Sequence, residues 1–344
     1  MSGERQSHDG TRARRRFLTA AVLAPVAVGL GGCAAPTGAA PHRAEGLNGP
    51  PGGGHGHGGE LLEPVPADGA DWSAVADAMG RPGEVKRGAL YYTGFPRDDL
   101  TVVSEGITIS PALALGSHTA MIRYADDSTL LMGDLVVLEE EFQAVSDALH
   151  SHGLMQTAIH KHLFAHSPEV WWTHVHGHGS DPVALARGVR AALDRTATPP
   201  HDPSAAEGGE SPDLDTDGID RALGVPGMVV GGIYKSLFAR AEEVNDGERI
   251  LPSGVGAISA FNFQPVGNGR AALNGDFAMI AEEVPKVLPR LRSGGIDLVS
   301  LHHHGLTDNP RLFFLHIWAV DDAVRLAEAL RPALELTHVV PLEQ

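Results

Sequence analysis

A triplet of histidines occurs twice in this 344-residue chain at identical spacing: His160, His162 and His174, then His302, His304 and His316. Each set is an H-x-H followed, after eleven intervening residues, by a third His, and the sets are offset by 142 positions. The offset holds without a gap over roughly 45 positions, with about a dozen identities. It runs from Gly133-Asp134 against Gly275-Asp276, through Glu140-Glu141 against Glu282-Glu283, to Pro168 against Pro310. Such self-similarity marks a duplicated unit, so the fold must be one supersecondary unit built twice, with one His cluster per copy.

Hydrophobic periodicity supplies the elements. Each copy opens on a short amphipathic helix ended by glycine, residues 72–79 before Gly80 and 219–223 before Gly224. Alternating apolar runs predict strands at 89–95, 100–109, 119–124 and 129–138 in copy one, and at 257–263 and 271–279 in copy two. Residues 139–152 place Phe142, Val145 and Leu149 on one helical face, and 281–292 answer with Val284, Val287 and Leu291. Pro285 is tolerated in a first turn, whereas Pro289 should kink or shorten its helix. The His segments read as β-hairpins, and helices at 182–195 and 321–336 close the copies. The core order is ββαββα, twice. This predicts an α+β fold of two tandem repeats, each an antiparallel sheet with helices on one face. An approximate two-fold should relate the repeats and either merge their sheets or set them face to face. No glycine-rich phosphate loop stands at a strand-to-helix junction, so no nucleotide cofactor is expected.

The first 33 residues read as a twin-arginine-type lipoprotein signal. Arg14-Arg15-Arg16-Phe17-Leu18 precedes an apolar run too short to span a bilayer, and Leu30-Gly31-Gly32-Cys33 resembles a lipobox. Cys33 would become the lipidated N-terminus; as the sole cysteine it leaves no disulfide. An ordinary cleaved signal with an incidental cysteine is the simpler alternative. Cleavage removes five Arg and two acids and moves the formal net charge from −17 to −20. That surface excludes nucleic acid and anionic head groups as partners, so the membrane is met through the lipid alone. Residues 34–70, rich in Pro, Gly and Ala, read as a flexible tether; its His55 and His57 suit a spacer better than a metal site. Repeat one is expected over 71–196, a polar linker over 197–217, and repeat two over 218–338. The expected location is outside the cytoplasm, anchored to the cell membrane.

Side chains alternate faces along a strand, so His160 and His162 point the same way. A hairpin turning about Ser167 opposes His160 to His174, and one turning about Asn309 opposes His302 to His316. Three imidazoles then converge within each copy, as zinc requires, in a local geometry resembling that of α-type carbonic anhydrases. Asp134 and Asp276 are candidates for a fourth ligand or a supporting group, and Glu141 and Glu283 for a general base. Each has a structural alternative: a strand bulge at the Gly-Asp pairs, and helix-dipole complementarity for the glutamates. Trp171-Trp172 and Phe313-Phe314 read as core packing, and His118, Arg97 and Asp98-Asp99 as solvated loop residues. His176 is replaced by Trp318 and Lys161 by His303 between copies, so the two sites are not expected to be equivalent.

Thr157-Ala158-Ile159-His160-Lys161-His162, Gly275-Asp276-Phe277, Leu301-His302-His303-His304 and the run Pro310 to Trp318 resemble the LppY/LpqO family of actinobacterial lipoproteins. Lys161 and His303 depart from the Asn usual inside that family's H-x-H, and neither removes a proposed ligand. The resemblance spans about residues 72–337 and implies a duplicated extracytoplasmic lipoprotein with no established activity.

The expected function is therefore binding of zinc or another transition metal by a membrane-tethered lipoprotein. Two alternatives stand beside it. One is a hydrolase using a metal-bound hydroxide, for which no G-x-S-x-G or H-E-x-x-H motif speaks. The other is a metal-free module in which His and aromatic pairs take up a small-molecule or envelope ligand.

Overall fold

The long strand Thr129–Leu138 shows what kind of layer each sheet occupies, because nearly every residue along it is buried. Its odd positions, Leu131, Leu135 and Val137, enter a core shared with helices of the same repeat. Its even positions, Leu130 and Val136, enter cores shared with the other repeat. An antiparallel strand solvated on one face would alternate apolar and polar; this one is apolar on both because both faces are covered. The strand Arg270–Met279 repeats the pattern, with Leu273 and Phe277 toward helices and Ala272 and Ala278 toward repeat one.

The computed structural model describes residues 61–202 and 211–342. The expected signal, with Cys33, and most of the expected tether, with His55 and His57, lie outside the described residues. The end of that tether is laid against the body. Leu62 bonds Glu248 and Ile250 of repeat two, while Val65 and Ala67 bond Arg123 and Gly88 of repeat one. Among the described residues, no helix is long and apolar enough to cross a membrane.

Each repeat is the expected ββαββα unit. In repeat one, Gly116–Arg123 and Thr129–Leu138 form a hairpin, the helix Phe142–Ser151 follows, then Met155–His160 and Val170–Gly179, and the helix Pro182–Leu193 closes. Repeat two answers with Ile258–Gly267, Arg270–Met279, Val284–Ser293, Asp297–His302, Phe313–Asp322 and Ala323–Leu334. In both sheets the third-His strand lies between the hairpin and the H-x-H strand. Leu90–Pro96 and Ile233–Arg240 extend the sheets on the other side. Closing helices start where Asp181 and Asp322 accept from exposed backbone N–H groups of the first turn. Gly80 and Gly224 end the opening helices in the left-handed conformation.

Three expectations need correction. Residues 100–109 give no strand of the large sheet; Val103–Ser104 and Ile107–Thr108 pair with each other, and Val103–Ser104 with His166–Ser167, in a small three-stranded sheet. Pro289 sits inside a helix that runs on to Ser293. The helix Thr216–Leu223 starts within the expected linker.

The contacts define an approximate two-fold. His162 meets His316 with ring centroids 3.9 Å apart, and its counterpart pair, His174 and His304, meets at 4.1 Å. His160 and His302, which are each other's counterparts, stack at 4.1 Å and so flank the axis. This is an isologous interface made within one chain.

Candidate metal centre

Strand alternation puts Trp172, His174, His176 and His178 on one face of Val170–Gly179, and Phe314, His316 and Trp318 on one face of Phe313–Asp322. Both faces look toward the other repeat, so the two histidine sets meet there. The register differs from the expected one by two residues: His160 opposes Trp172, and Ala158 opposes His174. His302 likewise opposes Phe314, and Ser300 opposes His316. The expected tight turn about Ser167 does not form. Instead His166–Ser167 leaves the hairpin to pair with Val103–Ser104, and the H-x-H strand carries an irregularity between Gln156 and Ala158. The third His of each copy is a diagonal neighbour of the first and still shares its face.

The six expected histidines come together, but in groups other than one triplet per copy. Donor atoms of His160, His162 and His316 lie within 4.8 Å of one another, as do those of His160, His174 and His302, and those of Asp276, His302 and His304. The first two groups draw on both copies, because the H-x-H of one repeat meets the third His of the other across the axis. Six histidines and Asp276 therefore make one shared cluster that could hold a metal, with Asp134 beside it at His162.

Its polar bookkeeping points inward. His174 Nδ1 and His316 Nδ1 each lie 3.3 Å from a carbonyl oxygen, of Gly133 and Gly275 respectively. A ring N–H donated there leaves the Nε2 lone pair free, which is how ligating histidines are commonly oriented. Both Nε2 atoms are buried with no hydrogen-bond partner, as are His160 Nδ1, both ring nitrogens of His302, and one oxygen each of Asp134 and Asp276. Buried polar atoms are rarely left so, and a bound ion accounts for several at once. Burial pushes His160, His162, His174, His304 and His316 well below the ordinary imidazole value, and crowding by neighbouring imidazoles adds to it. Burial lowers His302 too, against the partial opposition of Asp276 and Asp134. Neutral imidazole is the form that ligates.

Asp134 Oδ2 lies 3.0 Å from His162 Nε2 and 3.9 Å from His160 Nε2. Asp276 lies 3.5 Å from His304 Nε2. Both aspartates thus stand at the cluster, and the pairing runs through both Gly-Asp pairs without a shift of register there. The preceding glycines serve close packing: a Cβ on Gly133 would fall 2.6 Å from the His118 carbonyl oxygen, and on Gly275 2.9 Å from the Phe261 ring. Trp172 and Phe314 are fully buried, and each also supports the second His of its own H-x-H, with His162 on Trp172 at 4.6 Å and His304 on Phe314 at 3.4 Å. Across the repeats, Asn274 donates to the His162 carbonyl, Thr157 to that of His304 at 2.5 Å, and Ser300 to that of Lys161.

Glu141 and Glu283 are committed elsewhere. Glu141 accepts from Arg97, Leu138 N–H and Ala197 N–H. Glu283 accepts from Arg240, Ile280 N–H and His338 N–H. Their chemistry is that of buried counter-ions, and neither dipole complementarity nor base catalysis is needed to explain them. Arg97, expected to be solvated, is fully buried in this pair, and Asp99 joins it from the surface. His118, also expected in a loop, lies on Gly116–Arg123 opposite Asp134.

Two surface hollows lie away from the cluster. One is lined by Gly294, Gly295, Asp321, Arg325 and neighbours, the other by Ala76 to Pro82. Sequence reading does not single out a further group, His176, His178 and Asp246. Its available signal is the second H-x-H, His176-Gly177-His178, immediately after His174.

A duplicated α+β unit with a histidine cluster on its two-fold is the class that fold and site define. Residues 73–195 and 217–336 both match the family described as Domain of Unknown Function (DUF1259), and the chain belongs to that family. No match is found among curated proteins. Solved structures with some similarity include a double ringed trimeric shell protein, MSM0271, from the RMM microcompartment, 12% identical over 60% of this chain and 81% of that one. The trimeric bacterial microcompartment shell protein PduB is 13% identical over 73% and 92%, and EtuB from Clostridium kluyveri 11% over 73% and 88%. Each superposes with a TM-score of 0.17, which carries no argument about fold or function.

Proposed function

We propose that the protein binds a divalent transition metal, zinc in the first place, between its two repeats. The observation that carries this is the set of buried imidazole nitrogens facing one another across the two-fold without protein partners. Borderline-soft zinc suits neutral imidazole with one carboxylate, and the tautomers of His174 and His316 favour Nε2 ligation. The closed setting, with His160, His302 and His316 all buried, supports holding an ion over turning over a substrate.

The binder is read as a lipoprotein of the LppY/LpqO kind, outside the cytoplasm and tethered through lipidated Cys33. Two experiments test the reading. Elemental analysis of gently purified protein should find zinc or a related metal, and zinc addition to stripped protein should raise its melting temperature, since a ligand of the folded state alone stabilises it. Cys33→Ser should move folded protein from the membrane fraction to the soluble one; retention in the membrane pellet would contradict the lipid tether.

A further inference from the structure

Beyond His174 the strand Val170–Gly179 carries two more histidines on the same face, and neither belongs to the central cluster. Asp246, from the two-residue strand Asn245–Asp246 of repeat two, reaches both. Its Oδ2 lies 3.1 Å from His176 Nε2 and 2.9 Å from His178 Nε2, and the three donor atoms fall within 4.8 Å of one another. His176 and Asp246 are each 2% exposed. Yet His176 Nε2 and Asp246 Oδ2 have no hydrogen-bond partner, so neither short contact aligns a ring N–H with the oxygen. Thr307 donates its hydroxyl to Asp246 Oδ1, which fixes the carboxylate with Oδ2 toward the histidines.

We propose that His176, His178 and Asp246 form a second site, separate from the central cluster, for a divalent transition metal ion. Two imidazoles and one carboxylate are a donor set for zinc and its first-row neighbours, and three protein ligands leave at least one position for water. The His178 side chain is 33% exposed, which gives an ion a way in from solvent.

The duplication supplies an internal comparison. At the positions related by the 142-residue offset stand Ser104, Trp318 and Val320, none with a donor set of this kind. There Trp318 Nε1 donates to Glu105, the Ser104 hydroxyl donates to the Phe164 carbonyl, and Val320 packs against a core. All three donors are present in one location and all three are absent from its twin, as a functional set would be.

The test uses the full chain, stripped of metal and titrated with zinc alone, with bound ions counted after equilibrium dialysis. His55 and His57 are common to all variants and cancel. His178→Ala, at a part-exposed position, and Asp246→Asn should each lose one ion per chain at free zinc that saturates the parent, or bind it more than about tenfold more weakly. His302→Ala should retain this ion. The melting temperature of each stripped variant reports folding separately, and His178→Ala decides if Asp246→Asn is unstable. Parent-like stoichiometry and affinity in His178→Ala would overturn the second site. If instead the central cluster takes no metal, His302→Ala will match the parent while His178→Ala still loses its ion.

Discussion

His160 and His302 flank the two-fold and, among the described residues, are the two that each belong to two ligand-capable groups. Replacing one of them should therefore damage the whole cluster. His302→Ala is expected to weaken zinc binding by more than the roughly 10–100-fold that loss of a supporting group costs, although all three histidines of copy one remain. Isothermal titration would show it; a variant retaining parent affinity would mean that each copy binds alone. Protonation gives an independent check on the metal-free protein. Burial lowers these imidazoles below their unfolded value of about 6.5, so beneath that pH the unfolded chain binds more protons and folding loses stability. Each histidine kept neutral costs about 1.4 kcal/mol per pH unit in that range. The urea midpoint should hence fall between pH 7.5 and 5.5, a window above the usual carboxylate range; an unchanged midpoint would contradict buried neutral imidazoles.

Among the elements, the strands were the most legible part. Residues 129–138 were readable as a strand with its limits, and H-x-H alternation placed His160 and His174 on one face, which they share. Register was not readable, because the departure of His166–Ser167 to pair with Val103–Ser104 depends on a distant segment that no local pattern announces. Nor was the burial of Arg97 and Arg240 readable: a charged residue after an apolar strand looks solvated until its glutamate arrives from 44 or 43 residues away. Those pairs give a prediction for elements. Glu283→Gln should leave Arg240 buried without its full counter-charge and cost about 3–5 kcal/mol by denaturant unfolding, as breaking a buried pair does. Zinc stoichiometry of the folded fraction should stay the same. A loss of zinc with stability unaffected would place Glu283 at the metal instead of in the Arg240 pair.

For the whole molecule, duplication was visible in the sequence, but sharing of one site was not. A gap-free offset says that two units are alike, and the cores show how they meet: Leu130, Val136 and Trp172 of one repeat pack with Ala272, Ala278, Phe314 and Trp318 of the other. A chain cut to residues 61–202 would expose that face. It should self-associate or aggregate rather than run as a folded monomer on gel filtration; a stable monomer with native circular dichroism would contradict the paired architecture. The central claim, that one metal cluster is built by both repeats, is tested most directly by X-ray absorption at the zinc edge of zinc-loaded protein carrying His178→Ala. The account predicts a histidine-rich shell of nitrogen and oxygen at about 2.0–2.1 Å that is lost when either His160 or His302 is replaced. Zinc that binds with no histidine shell, or a shell indifferent to both replacements, would contradict it.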